Sequence, residues 1–229
     1  FLGHFQYVVE NFSMISRLIG RSILRSPTPI GLHRYQSLSS YDIKQGGAIY
    51  LDLQAQNSYT IRVTTGWQDH TEVTFAGQSD GMNVIDSSVE QILEITDEHS
   101  QTDGDKIGID VVTPQSINLF VRAHEMDLSV SNKLEGDVNI SCKRGSVSLE
   151  KIRGMNVTID VGHASLQSSK LIEGESVSIN AYDFSGKMVN GAKIDISLLE
   201  SMKVQAMYIE EHANIAVERN IDIGLFNGT

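Results

Sequence analysis

A repeat of about nineteen residues runs through the second half of the chain, and this spacing is too short for any helical repeat. Each gap between the repeated segments holds a further strand-like segment, and the steps between their first residues are 19, 20, 17 and 21. The spacing predicts an all-β single-chain β-solenoid with coils of about 19 residues. The repeated segments begin at Val138, Val157, Val177, Ile194 and Ile215.

The repeat can be divided into coils at residues 134–151, 152–170, 171–189, 190–208 and 209 onward. One coil cannot bury enough apolar surface to be stable alone, so the coils must stack and share their core. Glycines fall at or near the expected corners, where we expect positive φ: Gly136, Gly145, Gly154, Gly162, Gly174, Gly186 and Gly191. Alternation predicts inward side chains at Val138, Ile140, Val147, Leu149, Val157, Ile159, Val161 and Leu166, and outward ones at Asn139, Ser141, Ser146, Ser148, Thr158 and Asp160.

Alternating segments also precede the repeat, with glycines between them. Pro114 is the only proline from residue 41 onward, as a hydrogen-bonded stack of strands requires, because proline cannot donate to a ladder. The polar stretch 96–105 is predicted to be a surface loop. Strands are predicted at 48–53, 59–63, 71–75, 107–112 and 117–121.

The first forty residues differ from the rest and are predicted to be a flexible or helical leader, with the β-solenoid domain at 41–229. Residues 14–26 place Arg17, Arg21 and Arg25 on one helical face and isoleucines on the other. This acid-free, Arg- and Ser-rich composition is typical of a mitochondrial transit peptide, with a cut after Tyr35 and a mature start near Gln36. The alternatives are a disordered basic tail and a surface-bound amphipathic helix.

Charge and cysteine content restrict the partners and the compartment. The net charge is −11, and residues 41–229 alone carry −14, so the domain has no basic excess for nucleic acid or anionic membranes. The sequence has no apolar run of about 18 residues that would predict a membrane span. The one cysteine, Cys142, can form no internal disulfide, which favours an intracellular protein, and its position in the alternation predicts a small buried side chain.

The run from Val138 to Leu225 resembles the putative-adhesin domain family, a β-solenoid found in many bacterial proteins. The resemblance includes strand pairs such as 138–142 followed by 145–149. Within this run, residues 137–140, 206–209 and 220–225 are most similar to an uncharacterised animal family called family with sequence similarity 185. The resemblance covers about residues 45–229 and implies the fold. It brings no catalytic residues, and it implies a domain truncated at its C-terminus, since the family's coils usually extend further.

Three side-chain clusters contain residue types that could form a site, and each is better interpreted as surface or core. The acidic loop could offer oxygen ligands to Ca²⁺, but Ile107 stands where a third ligand would be expected. We therefore predict no catalytic, cofactor-binding or metal-binding residue, and no cofactor. The clusters are Asp97, Glu98, His99, Asp103 and Asp105; Glu210, Glu211 and His212; and Trp67, Gln68, Asp69 and His70.

The sequence favours a non-enzymatic interaction or scaffold protein, imported into the mitochondrial matrix, with an unknown protein partner and with end-to-end stacking of coils as one form of assembly. One alternative is an extracellular adhesin-like module, for which Asn139 and Asn156 lie in glycosylation acceptor patterns. Another is a carbohydrate-active β-helix enzyme. Acidic residues converging in one groove with Arg122, Arg144, Arg153 or Arg219 would support this enzyme.

Overall fold

The computed structural model describes residues 36–76, 81–97 and 106–228, all within the compact unit Arg34–Thr229. These residues form one mixed sheet of ten strands, which confirms the all-β prediction. Residues 1–35 of the predicted leader lie outside the described residues, whereas residues 36–40, which were also assigned to the leader, belong to a strand of the sheet. The boundary between residues 40 and 41 stays a prediction. The strands are β1 (Gln36–Tyr41), β2 (Ala48–Gly66), β3 (Thr71–Ala76), β4 (Met82–Ser87), β5 (Ile92–Asp97), β6 (Ile107–Pro114), β7 (Asn118–Glu135), β8 (Val138–Asp160), β9 (Ser165–Val217) and β10 (Asn220–Gly228).

A parallel ladder runs through β2, β7, β8, β9 and β10 in that order. Leu119 pairs with Val138 at a separation of 19 residues, and Val157 pairs with Val177 at a separation of 20. We call the stretch of chain between two such partners a rung. Because the separations follow the sequence repeat, each rung presents equivalent residues to the next.

At the N-terminal end of this ladder, parallel pairing gives way to antiparallel pairing. β2 pairs in parallel with β5 and β6, and β4 then pairs antiparallel with β5. β3 pairs antiparallel with β6, and β1 pairs antiparallel with β3. The predicted segments are therefore strands, but their antiparallel order had not been predicted. In the described part of the chain, no helix is long and apolar enough to cross a membrane.

The core consists of inward side chains that alternate along each rung and stack between rungs. All eight inward positions predicted from the alternation are buried, and so is Cys142, at 5% exposure. Burial raises the pKa of the Cys142 thiol to about 12, so the thiol stays protonated and behaves as a small apolar group.

Glycines occupy the corners for two different reasons. Gly136, Gly145 and Gly162 have φ of +153°, +118° and +48°, which confirms the predicted positive φ there. The prediction was wrong at the other four glycines, which do not have positive φ: Gly154, Gly174, Gly186 and Gly191. A Cβ at Gly154 would lie 2.3 Å from the carbonyl oxygen of Gly136, so glycine is required by the close approach of successive rungs.

The hydroxyl of Ser168 is buried in the core and has no hydrogen-bond partner among the described residues. We expect Ser168→Ala to raise the free energy of unfolding by about 1 kcal/mol, because it removes an unsatisfied buried polar group. The measurement is urea unfolding followed by circular dichroism.

Thr71 supplies the contrasting variant. Its hydroxyl is fully buried and lies 3.0 Å from that of Thr113, so Thr71→Ala leaves the Thr113 hydroxyl without this partner. This variant should lose about 2 kcal/mol. Equal losses in both variants would contradict the assignment of the Ser168 hydroxyl as unsatisfied.

Candidate functional site

A groove follows a column of glycines along one corner of the ladder. Gly154 pairs with Gly174, and a Cβ at Gly191 would lie only 2.9 Å from the carbonyl oxygen of Gly174. Since glycines carry no side chains, this corner is recessed between the residues that flank it. Two adjoining cavities of about 430 and 540 Å³ share Arg153 and Gly154, and their other lining residues are Ser116, Asn118, Glu135, Gly136, Asp137, Met155, Glu173, Gly174, Glu175, Asn190, Gly191, Ala192 and Glu210.

The side chains that line the groove are predominantly acidic. Five carboxylates and one cation line the two cavities, and the Arg153 Nε donates to Glu173 Oε2 at 2.5 Å. Arg153 and Glu210 were both named from the sequence, but in separate contexts. The structure brings them to one groove together with Glu173 and Glu175, which sequence reasoning missed.

Asp137 organises the N-terminal half of the groove. Its Oδ1 accepts hydrogen bonds from the backbone amides of Met155 and Asn156, at 3.0 and 2.9 Å, and its Oδ2 accepts one from Asn156 Nδ2 at 3.0 Å. Partial burial acts to raise the pKa of this carboxyl, but the hydrogen bonds from Asn156 and Met155 outweigh it and lower the pKa. Asp137 is therefore charged at neutral pH and joins two rungs.

We expect Asp137→Asn to reduce the free energy of unfolding at pH 7 by about 1 kcal/mol, because a charged acceptor of three hydrogen bonds is lost. The folded-state pKa lies below the unfolded one. The carboxylate therefore stabilises the fold above the usual Asp pKa of 3.8, and this contribution disappears as the pH falls through the lower folded value. Urea unfolding between neutral pH and about pH 2.5 measures this. If Asp137→Asn and wild type differ in their free energy of unfolding by the same amount at about pH 2.5 as at pH 7, the stabilising role of the carboxylate is contradicted.

A flat polar surface covers one side of the parallel ladder. We define the polar face as Asn139, Ser141, Thr158, Asp160, Ser178 and Asn180, all exposed or half-buried. Thr158 pairs with Ser178 and Asp160 pairs with Asn180, and the Asn180 Nδ2 donates to Asp160 Oδ1 at 2.8 Å. The predicted outward positions are confirmed here, and neighbouring rungs hold each other's polar groups in place.

Other carboxylates of the ladder are also bound by the next rung. Ser146 Oγ and Lys106 Nζ donate to Asp127 at 2.7 and 2.5 Å, and the lysine, followed by the serine, lowers the Asp127 pKa. Glu150 forms an ion pair with Lys170 and accepts a hydrogen bond from the Asn132 amide, and both lower its pKa. These contacts hold the carboxylates as links between rungs.

Trp67 lies in the turn between β2 and β3 and is 87% exposed, so the interpretation of this side chain as part of the core is wrong. His70 lies between two carboxylates, with Nδ1 3.0 Å from Asp69 and Nε2 3.0 Å from Glu72. The hydrogen bond to Asp69, and then the one to Glu72, raise the pKa of His70, while His70 lowers the pKa of Asp69. In the same turn, Gln68 Nε2 donates to the Thr113 carbonyl at 2.6 Å, which ties the turn to β6.

Of the predicted acidic cluster, only Asp97 lies among the described residues. It accepts a hydrogen bond from the buried Tyr59 hydroxyl, which also accepts one from Asn57 Nδ2 at 3.2 Å. Burial, followed by the bond to Asp97, raises the pKa of Tyr59. This network links β2 to the end of β5, so Asp97 has a structural role at the base of the loop.

Apart from Arg153 and Glu210, which line the groove, the remaining predicted residues lie elsewhere on the surface. Glu210, Glu211 and His212 are exposed, and no group of three or more potential metal ligands occurs in the described part. The described arginines do not converge: Arg122 pairs with Asp52 at 3.9 Å and Arg219 with Glu200 at 3.0 Å, while Arg153 alone lines the glycine groove.

The sequence matches no known protein-family model and no curated protein. Among solved structures, it is similar to a putative cell adhesion protein from Clostridium sporogenes, at 10% identity and a TM-score of 0.45, over 86% of this chain and 99% of that one. It is also similar to a putative adhesin from Bacteroides fragilis, at 14% identity and a TM-score of 0.43, over 86% and 97%. Similarities this distant assign no function, and none of these proteins supports the resemblance to the animal family.

Proposed function

We propose that the chain is a non-enzymatic β-solenoid that binds another protein through its polar face. The observation that supports this most is the regular pairing of rungs at 18 to 20 residues from Leu119 to Asn180, with no long insertion between them. Such pairing places equivalent side chains in rows, at the strand spacing of about 4.8 Å. The rows display amide and hydroxyl groups on a rigid surface.

Rigidity favours binding, because a surface whose side chains are already ordered loses less conformational entropy when a partner docks. On the polar face the bond from Asn180 to Asp160 fixes two side chains before any partner arrives. Other carboxylates of the ladder, such as Asp127 and Glu150, likewise accept hydrogen bonds from residues of adjacent rungs. This arrangement supports a binding role rather than proton transfer.

Affinity capture with the full chain tests the proposal when it is combined with matched variants. Thr158→Arg and Ser178→Arg place bulky cations on the polar face, whereas Ser148→Arg places one on an exposed position outside it. We expect a partner retained by wild type and by Ser148→Arg to be lost with the other two, a reduction of about tenfold or more. Equal capture by all four proteins would refute binding through this face.

The location proposed from the sequence is the mitochondrial matrix, supported by the composition of residues 14–40, and membership of the animal family is proposed on sequence resemblance alone. The extracellular alternative is supported by Asn139, which is exposed and lies in a pattern that accepts N-linked glycans. Asn156 supports it less, because its side-chain amide donates a hydrogen bond to Asp137. Fractionation of a tagged chain distinguishes them. Protection inside mitochondria with loss of residues before about Gln36 supports the first, and a glycan on Asn139 supports the second.

A second candidate function, a carbohydrate-active β-helix, is favoured by the convergence of Arg153, Glu173, Glu175 and Glu210 in one groove. A pair of carboxyl groups is the machinery that most glycoside hydrolases use. The test is release of reducing sugar from a polysaccharide panel, compared between wild type and Glu175→Gln. Activity that this variant abolishes, with unfolding unchanged, would support the enzyme over the binding protein.

A further inference from the structure

One corner of the parallel ladder is basic, although the chain as a whole has a net charge of −11. We define the basic corner as His124, Lys143, Arg144 and His163. His124 is half-buried, and the other three side chains are exposed. A local excess of basic side chains on an acidic protein attracts negatively charged groups to that place.

The register of three successive rungs brings these side chains together. β7 pairs with β8 on both sides of the corner, in a register that sets His124 opposite Lys143. On the next rung, a Cβ at Gly162 would lie 4.0 Å from the Lys143 carbonyl oxygen, which places the following residue, His163, at the same corner. Neighbouring rungs lie about 4.8 Å apart, so the long side chains of Lys143 and Arg144 can contact a ligand together with both imidazoles.

Lys143 and Arg144 are not neutralised by carboxylates of the protein. Most lysines and arginines in the described part of the chain form ion pairs, whereas these two form none there. Glu125, the register partner of Arg144, instead accepts a hydrogen bond from Ser58 at 2.8 Å. The two cations therefore keep their donors available for an added anion.

The donors of the basic corner suit the phosphate group of a phosphorylated side chain. An arginine presents a planar fork of N–H donors, a lysine contributes a compact ammonium, and a histidine ring nitrogen also donates. Together they match the three acceptor oxygens and the charge of about −1.5 to −2 of such a phosphate. A long polyanion fits less well, because it would extend over the acidic remainder of the domain and be repelled.

The basic corner is continuous with the polar face. Ser141 of that face lies two residues before Lys143. Val161 lies two residues before His163, and its backbone amide donates to the carbonyl of Asn180, also on the polar face, at 2.7 Å. A protein docked on the polar face can therefore place a side chain at the corner.

We propose that the basic corner binds the phosphate group of a phosphorylated side chain on the protein that docks on the polar face. This inference rests on the proposed function and adds the chemistry of the partner. Phosphorylation of the partner strengthens the complex through charge-assisted hydrogen bonds to Lys143 and Arg144. A free phosphate compound and an unphosphorylated acidic segment are the competing occupants.

Calorimetric titration of the full chain with a phosphoserine derivative whose ends are blocked tests the site alone. We expect binding in the millimolar range, weakened about tenfold or more in Lys143→Gln combined with Arg144→Gln. The matched control is Lys187→Gln combined with Lys203→Gln, because both lysines are exposed and form no ion pair in the described part of the chain. It should bind as wild type does. Absence of binding, equal weakening in both double variants, or equal binding of the matching glutamate derivative overturns the proposal.

Affinity capture with the full chain separates this inference from the proposed function. We expect wild type to retain its partner about tenfold less after phosphatase treatment of the lysate, and the Lys143→Gln, Arg144→Gln variant to lose the untreated partner to the same extent. A partner lost with Thr158→Arg but unaffected by phosphatase would leave binding through the polar face intact and overturn the phosphate site. If the phosphoserine derivative binds while capture is insensitive to phosphatase, the occupant is a free phosphate compound, and the proposal is likewise overturned.

Discussion

Replacing Gly145 with alanine should lower the free energy of unfolding by about 4 kcal/mol or more, a large part of the stability of an ordinary domain. Gly145 has a φ of +118°, a conformation that L residues rarely adopt, and its Cβ would lie 1.9 Å from the carbonyl oxygen of Met126. Met126 is its register partner in the preceding rung. Relief of the overlap would require separation of two paired strands. Urea unfolding followed by circular dichroism measures the loss.

Gly46→Ala is the matched control for this variant. Gly46 has a φ of +86°, but a Cβ there would meet nothing within 4 Å. It should therefore lose only the backbone strain, about 1–2 kcal/mol. If Gly145→Ala and Gly46→Ala lose the same free energy, the close approach between β7 and β8 at Gly145 is not what requires glycine.

Deletion of residues 158–177 should leave a folded protein, although it removes 20 residues from the centre of the ladder. Val157 pairs with Val177, so the deletion joins Val157 to Ser178 and removes one rung without a change in register. If the rungs stack as solenoid coils, residues 178 onward can pack on the rung that 158 onward had covered. The expected loss is about 1–3 kcal/mol, the usual share of 20 residues, and unfolding should remain one cooperative transition.

Deletion of residues 158–167 supplies the comparison. It removes about half a rung and joins segments that lie on different sides of the chain path, so equivalent positions no longer stack. We expect no cooperative unfolding from this variant. Thermal unfolding of both deletions, followed by circular dichroism, is the measurement. A folded half-rung deletion, or an unfolded full-rung deletion, would show that stability does not depend on the register between rungs.

Most of the parallel ladder was predictable because its signal is local. The alternation around Val138, Ile140 and Cys142 indicated which side chains are buried, and the repeat indicated which rungs are neighbours. Ile152 was placed at the start of a coil, and it pairs with Leu134, the start of the preceding coil. Each of these inferences needs only the spacing of apolar residues along the chain.

The antiparallel end and the groove were not predictable in the same way. β3 lies between β1 and β6 in the sheet, an order that depends on contacts between segments without any shared repeat. Glu173, Glu175 and Glu210 were ordinary surface residues in the sequence. They line one groove with Arg153 at the corner that the column of glycines recesses, and this alignment depends on the register at each rung.

Trp67 is the only tryptophan in the chain, and it is 87% exposed in a turn, two residues before Asp69, the carboxylate that binds His70. Its fluorescence will therefore report on that turn and will hardly depend on the packing of the core, which contains no indole. Emission should already be that of a solvated indole in the native protein, and it should respond to protonation of His70. Optical studies of folding in this protein must use the backbone signal, while the tryptophan provides a separate probe of the turn.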